Sequence, residues 1–311
     1  MSSQFRLAIG QHRPVKNNLK LTLQDLGQHI VAAAKQEAHV LVLPESSLSG
    51  YFLEGGVLEQ SQSPEEVSLL LLKAYEYAWA SQFPHEAIPR IDVVLGFYER
   101  HRHEIYNSAM YVSLNGTAKV YHVHRKVFLP TYGIFDEQRV VTPGNTIDSF
   151  ETPYGRMAIA ICEDLWHPMT AMTAALKGAD FLLVPAASPA RGLGGQIPDN
   201  VQTWHRLVQH TASTHGIFVA NAQLVGSEGG KQFSGGSVLA FPNGALTEPL
   251  PLFTSDLKVF NIDTRALDRA RHKAPNLSEL KRALPGLLAG LQTDVPHPAV
   301  YSPDRRYHSE A

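Results

Sequence analysis

The sequence predicts an α/β protein with mixed sheets. Strand-sized apolar runs (LAIG, VLVL, MAIAI, FLLV) alternate with stretches whose apolar residues recur at helical spacing. Two Asn-Gly hairpin signals fall among them, so some neighbouring strands must run antiparallel. No low-complexity linker or break in composition divides Ser2 from about Asp263. The expected organisation is one domain over residues 1–263. An arm, 264–311, richer in charge and proline, follows it and packs on the domain or on a neighbouring subunit.

Phe5–Gly10 reads as the first strand. Leu21 to Glu37 follows as a helix, with Leu23, Leu26, Ile30, Val31 and Ala34 close to one face. Val40–Leu43 is a short, fully apolar strand that ends in Pro44-Glu45. Ser63-Pro64-Glu65-Glu66 marks a helix start, with a serine N-cap, a proline in the first turn and a capping-box glutamate. That helix should run to about Gln82, and Asp92–Tyr98 is the next strand. Asn115-Gly116, between MYVSL and TAKVYHVH, and Asn243-Gly244, after SVLAFP, suit two-residue turns because both positions tolerate positive φ.

The run after Gly155 is apolar up to Cys162, where a turn begins. Pro168 starts a helix ending near Gly178, and strand Phe181–Val184 leads into Pro185-Ala186-Ala187-Ser188-Pro189. Gly192 to Gly195 form a flexible loop. Pro198-Asp199 opens a helix with Val201, Trp204, Leu207, Val208 and Thr211 on its face, stopped by Gly216, and Ile217–Ala220 is a further strand. One short helix, around Leu277–Leu284, is expected in the arm, and no repeat of solenoid length occurs.

Composition narrows the functional classes. Of 311 residues, 44% are apolar and 18% charged, which is ordinary for a soluble globular protein. A net charge of −2 supplies no field to recruit nucleic acid or anionic lipid, so neither is an expected partner. The start, MSSQFRLAIGQHRP, meets Arg6 before any long apolar core and is not expected to be a signal peptide. The longest apolar runs are too short to span a membrane, and a cytoplasmic location is the expectation. Fifteen histidines invite a metal reading, but the pairs His101/His103 and His122/His124 have no ligand cluster nearby in sequence. No metal or cofactor is expected.

Three apolar runs end in polar chemistry: VLVLP at Glu45, AIAI at Cys162 and FLLVPAA at Ser188. Ligands of α/β sheets bind beyond the carboxyl ends of strands, where loops converge. Cys162 is the only cysteine, and Lys126 ends the hairpin strand KVYHVHR. A thiol has a pKa of about 8.5, so as a nucleophile it needs a base or a positive field. Glu45 can serve as the base, Lys126 can stabilise thiolate and oxyanion, and the backbone N–H of Glu163 can be a second oxyanion donor. The same residue types fit a structural role equally well: Glu45 capping a turn, Lys126 solvated and Cys162 filling the core.

PESSLSGY, HRKVFLP and AIAICED, in that order, resemble the three catalytic motifs of the nitrilase (carbon–nitrogen hydrolase) superfamily. The similarity runs from LAIGQ through FSGGSVLAFPNG, roughly residues 5–263. It implies an α-β-β-α sandwich that dimerises into a larger stack, and a Glu-Lys-Cys triad at Glu45, Lys126 and Cys162. Within the superfamily, KVFLPTYGIFDEQR followed by CEDLW is most similar to the glutaminase domains of glutamine-dependent NAD synthetases. That likeness implies that Glu137 is a second glutamate orienting Lys126 and the substrate amide. It also implies that Tyr132 stands beside the acyl pocket, that Ser188 lines the substrate end and that Arg191 is a carboxylate partner. The pocket is expected from loops around Tyr51–Gly56, Tyr132–Glu137 and Ser188–Gln196.

The function implied is a Cys-dependent amidase that hydrolyses a small, glutamine-like carboxamide through a thioester. The alternatives are a glutaminase subunit feeding ammonia to a separate synthetase partner, a nitrilase, and a catalytically silent scaffold on the same fold. A papain-like Cys–His enzyme fits least, since His167 lies only five residues from Cys162. Three departures bear on this. The sequence ends at Ala311 without an ATP-pyrophosphatase domain, so it is not expected to make NAD itself. Ser234-Gly235-Gly236-Ser237 lacks the residues of a phosphate loop and reads as structural, and Pro185-Ala-Ala replaces the asparagine-containing step of the glutaminases.

Overall fold

Most central strands are apolar on both faces, and the chain buries both by stacking two sheets between two layers of helix. The computed structural model describes residues 4–294, apart from Glu54 and Leu193. The first half runs β1 (Gln4–Gln11), α1 (Leu19–Lys35), β2 (Val40–Val42), α2 (Val57–Gln60), α3 (Pro64–Gln82), β3 (Ile91–His101), β4 (Glu104–Leu114) and β5 (Ala118–Arg125). The second runs β6 (Ser149–Thr152), β7 (Gly155–Ile159), α4 (Pro168–Leu176), β8 (Phe181–Ala186), α5 (Asp199–His215) and β9 (Phe218–Gln223). Four strands and two helices complete it: β10 (Val225–Glu228), β11 (Lys231–Ser234), β12 (Val238–Ala240), β13 (Asp256–Asp263), α6 (Arg265–Lys273) and α7 (Asn276–Asp294).

Apart from β10 and β11, which pair antiparallel as a separate two-stranded ribbon, the strands form the two stacked sheets, one of six in the order β13-β1-β2-β3-β4-β5 and the other of five in the order β12-β9-β8-β7-β6. Each is mixed: β1, β2 and β3 are parallel, as are β7, β8 and β9, with antiparallel strands outside them. Strand alternation sorts the side chains into layers. Leu7, Ile9, Val40, Val42 and Val94 meet Ile159, Phe181, Leu183 and Phe218 between the sheets. The intervening Ala8, Leu41, Val93 and Leu95 pack under α1 and α3, while Leu182, Val184 and Val219 pack under α4 and α5. At about 1.5–3 kcal/mol for each fully buried large aliphatic side chain, these three layers hold the sandwich together.

The predicted elements lie where the periodicity placed them, with shifts at the ends. The α1 helix starts two residues early because the Asn18 side chain accepts from the Leu21 N–H (3.1 Å), and α3 begins with the expected capping box at Ser63 and Glu66. Gly216 stops α5 in the left-handed conformation, φ 61°. The Asn115-Gly116 turn is wider than expected: Leu114 pairs with Ala118, so three residues form the loop and only Gly116 among them has positive φ. After Asn243-Gly244 the returning arm makes a single bridge, Ala240 to Leu246, and no strand.

The arm also differs, with α6 and α7 in place of one short helix. The α6 sequence offers only Ala266, Leu267 and Ala270 as apolar residues, of which Leu267 alone is buried, and Pro285 inside α7 reads as a breaker. Arg271 ties α6 to the domain through the carbonyls of Gly216 (3.1 Å) and Ala179 (3.3 Å) and an ion pair with Asp180. The arm beyond residue 294 lies outside the described residues, as does Leu193 of the glycine-rich loop. No described helix is long and apolar enough to cross a membrane.

Candidate active site

The parallel strands of both sheets deliver their carboxyl ends to one edge of the sandwich. Glu45 follows β2 there and is fully buried. Its backbone crosses β3 where only a glycine fits. A Cβ on Gly96 would stand 2.5 Å from the Ser46 nitrogen and 2.6 Å from the Glu45 Cα. Three donors converge on the carboxylate: Lys126 Nζ (2.7 Å) and Asn107 Nδ2 (2.8 Å) on Oε1, and the Ala187 N–H (2.9 Å) on Oε2. Glu45 therefore bridges the sheets, since Asn107 lies on β4 and Ala187 follows β8.

Lys126 follows β5 and is also fully buried. Its ammonium donates to Glu45 Oε1 and to Glu137 Oε1, both at 2.7 Å. Burial alone favours the neutral amine, but Glu137 and Glu45 outweigh it and hold Lys126 well above the ordinary lysine value. Glu137 opens a short 3₁₀ turn, and the Tyr51 hydroxyl donates to its Oε1. Burial raises the Glu137 carboxyl above its usual range against the pull of Lys126, and Oε2 has no protein partner. Tyr51 is set in turn by Glu228, which accepts from the N–H groups of Tyr51 (2.8 Å) and Phe52 (2.9 Å).

Cys162 sits at the turn out of the second sheet with φ 47°, a left-handed conformation rare for a residue with a side chain. It opens the 3₁₀ segment Cys162–Trp166, whose first amides have no intrahelical acceptor. Burial pushes the thiol well above its ordinary value and Glu45 adds to this, while Lys126 and the Ala187 N–H act in the opposite direction. One amide, Ala187 N–H, thus faces both the Glu45 carboxylate and the Cys162 sulfur. Asp164 fixes the turn: it is fully buried and accepts from Val127 N (3.0 Å), Phe128 N (3.0 Å), Ile161 N (2.9 Å) and His124 Nε2 (2.8 Å). These bonds tie the Cys162 turn to the segment carrying Lys126.

A cavity of about 170 Å³ opens above the thiol, and Tyr132, Glu163, Ser188 and Arg191 all line it with Cys162. Aromatic walls come from Tyr51, Phe135, Trp166 and Trp204. The Tyr132 hydroxyl donates to the Glu163 carboxylate (3.0 Å), and Ser188 Oγ accepts from Asn200 Nδ2 (3.1 Å). The Arg191 guanidinium lies 5.8 Å from the Phe135 ring. A larger apolar groove of about 670 Å³ runs between α1 and α3, but neither a thiol nor an acid lines it.

All eight residues singled out in the sequence meet in this region. Glu45, Lys126 and Glu137 form the buried network, and the other five surround the opening. Sequence reasoning missed Asn107, Asp164, His124 and Glu228. Asp164 stood in the quoted CED motif without a role, and His124 lacked an acid only because its partner is 40 residues away. The Ala187 contribution is a backbone amide, which no side-chain motif reveals. The Ser237 hydroxyl accepts from the Gln223 N–H (2.9 Å), and the Ser237 N–H donates to Gln11 Oε1 (2.8 Å), so Ser237 after the Gly-Gly step is engaged in hydrogen bonds within the fold.

Comparison with known proteins follows the same outline. A family model described as carbon–nitrogen hydrolase matches residues 6–272. The glutamine-dependent NAD(+) synthetase of Aquifex aeolicus is 26% identical over 247 residues, 78% of this chain and 40% of that protein. The chain thus spans less than half the length of that relative. A citrullinase of Francisella tularensis is 28% identical over 202 residues, 62% of this chain and 65% of that one. A carbon–nitrogen hydrolase structure from Helicobacter pylori superposes with a TM-score of 0.76 at 21% identity, covering 89% of this chain and 94% of that one. At that identity it supports the sandwich fold.

Proposed function

Because the chain belongs to the carbon–nitrogen hydrolase family, whose members cleave non-peptide C–N bonds, we propose that it is an amidase with Cys162 as its nucleophile. The observation that carries this reading is the buried Glu45–Lys126–Glu137 network beneath the thiol, with the Ala187 N–H shared between Glu45 and the sulfur. A thiol held protonated needs a base at the moment of attack, and Glu45 is the carboxylate placed for it. Glu45 takes the Cys162 proton as the sulfur bonds to the amide carbon. Lys126 and the Glu163 N–H hold the oxyanion. The C–N bond breaks as Glu45 passes the proton to nitrogen, and ammonia leaves a thioester. Water, deprotonated by Glu45, then releases the acid and restores the thiol.

The size of the cavity favours a short carboxamide, and Arg191 with Glu163 at its rim suits a substrate carrying both charges, as a glutamine-like amide does. Ammonia release from glutamine, asparagine, short aliphatic amides and N-carbamoyl compounds tests the reading, with hydroxylamine trapping to detect the thioester. Turnover without any trappable acyl-enzyme, or undiminished in Cys162→Ala, would sink it. The likeness to a synthetase of more than twice the matched length favours a second reading, delivery of ammonia to a separate synthetase. Low activity alone, raised by an added ATP-dependent partner, would select it.

Two variants probe the scaffold. Gly96→Ala is expected to drive the Glu45 loop off β3, lowering stability by about 1–3 kcal/mol through overpacking. Turnover should fall at least tenfold, as about a 1 Å misplacement costs on the order of 10²-fold. Thermal unfolding and steady-state rates check both effects.

Asp164→Asn is expected to loosen the link between the Cys162 turn and Lys126. Burial pushes Asp164 upward, but His124 and the surrounding amides outweigh it and hold the group below its ordinary value. A depressed carboxylate stabilises the fold above its unfolded pKa of about 3.9, and that contribution is lost as pH falls through the folded value. The parent chain should therefore lose stability steeply below about pH 4. Asp164→Asn should start lower and show a shallower acid limb in denaturant melts across pH.

A further inference from the structure

Beyond β1, on the same edge of the sandwich but outside the cavity, His12 faces Asp25 and His29, which stand one turn apart on α1. One ligand atom from each residue lies within 4.8 Å of the other two. His12 Nδ1 is 2.9 Å and His29 Nδ1 3.6 Å from Asp25 Oδ2. His12 is fully buried, and neither of its ring nitrogens has a well-aligned hydrogen-bond partner. From this convergence of two imidazoles and one carboxylate, with the central histidine fully buried and its ring nitrogens poorly aligned for hydrogen bonding, we propose a binding site for one divalent transition-metal ion of the zinc type.

The donor set and its spacing both point to such an ion. Imidazole and carboxylate suit zinc, cobalt, nickel and copper, whereas magnesium and calcium require oxygen ligands throughout. Ligand bonds of about 2.0–2.1 Å in a tetrahedral site set donors about 3.3 Å apart, and the two measured separations bracket that value. A ligand imidazole must be neutral, and burial holds His12 below the ordinary histidine range despite Asp25. Access comes from solvent: the Asp25 side chain is 45% exposed, and it forms part of the wall of an open groove that also holds Arg13 and Lys16. Arg13 is turned onto Gly226 on the far side. His29 Nδ1 also lies 3.1 Å from the Asp25 carbonyl, a contact that the ion replaces. A bound ion joins the end of β1 to α1, and the His12 ring also meets the backbone of Ser47, two residues from Glu45. The site is independent of the amidase reading.

The test titrates Zn(II), against a competing chromophoric chelator, into chelator-stripped protein carrying Cys162→Ala so that no thiol competes. One equivalent should bind, and Asp25→Ala and His29→Ala should each weaken it by about 10–100-fold. Co(II) in the same protein should give visible absorption without a sulfur charge-transfer band. Affinity should fall in acid as the ligands protonate. Equal affinity and stoichiometry in the Asp25→Ala/His29→Ala double variant would assign binding to other histidines and overturn the proposal. Should the variants unfold, the parent chain decides: its unfolding midpoint must rise with Zn(II) and not with Mg(II), and an unchanged midpoint overturns the proposal.

Discussion

Cys162→Ala is expected to lower amide hydrolysis by on the order of 10⁴-fold or more, to the background left by binding and oxyanion contacts alone. The fold should survive, because alanine removes a single atom at the cavity wall and the turn is held by Asp164, which keeps all four of its donors. Stability should change by about 1 kcal/mol. The variant should still bind substrate, and equilibrium dialysis with the best amide of the parent chain would measure this. Cys162→Ser should be nearly as inactive. Its hydroxyl has a far higher pKa than the thiol, so a carboxylate is a much poorer base for it. A serine variant within tenfold of the parent would contradict the nucleophilic role.

Lys126→Met should be the most damaging single change to stability. The ammonium is the one cation bonded to both Glu45 and Glu137, and methionine fills its space without its charge. Breaking such a buried pair costs about 3–5 kcal/mol, because an uncompensated charge is left inside. The pH dependence identifies the cause. Burial already holds the Glu137 carboxyl above its usual range, and without the opposing pull of Lys126 its folded pKa rises further, so the group takes up a proton. Stability is then present below the unfolded carboxylate pKa, about 4.3, and is lost as pH rises through the raised folded value. The deficit against the parent should therefore be smaller at pH 5 than at pH 8, judged by chemical denaturation at both. Activity should be absent at either pH, since the oxyanion loses its cation.

How much of this was legible in the sequence depended on the range of the interaction involved. Periodicity placed α1, α5 and the central strands, because each buries a face that its own residues define, and the start signal at Ser63 placed α3. The capping box at Ser63 was readable for the same reason: donor and acceptor are three residues apart. The C-terminal helices were not, since α6 buries only Leu267 and is otherwise held by Arg271 reaching residues some 55 and 92 positions away. The candidate site divides likewise. Glu45 and Cys162 stand where apolar strands end and Lys126 where a hairpin strand ends, and the order of their three motifs pointed to them as a group. Asn107, His124 and Glu228 acquire their roles from partners that only the stacked sheets bring near, and the cluster of His12, Asp25 and His29 joins a loop to a helix that sequence gives no reason to pair.

The deep burial of Lys126 also has a practical side. An amine without solvent exposure, clasped by two carboxylates and held firmly protonated, offers no lone pair to an electrophile. Surface lysines such as Lys20 and Lys73 line open grooves and are free to react. Succinimidyl esters should therefore label or tether the folded chain without touching Lys126. The protein should be fixable to a solid support through its amines with its chemistry preserved, and a resin-bound sample compared with a free one would show it.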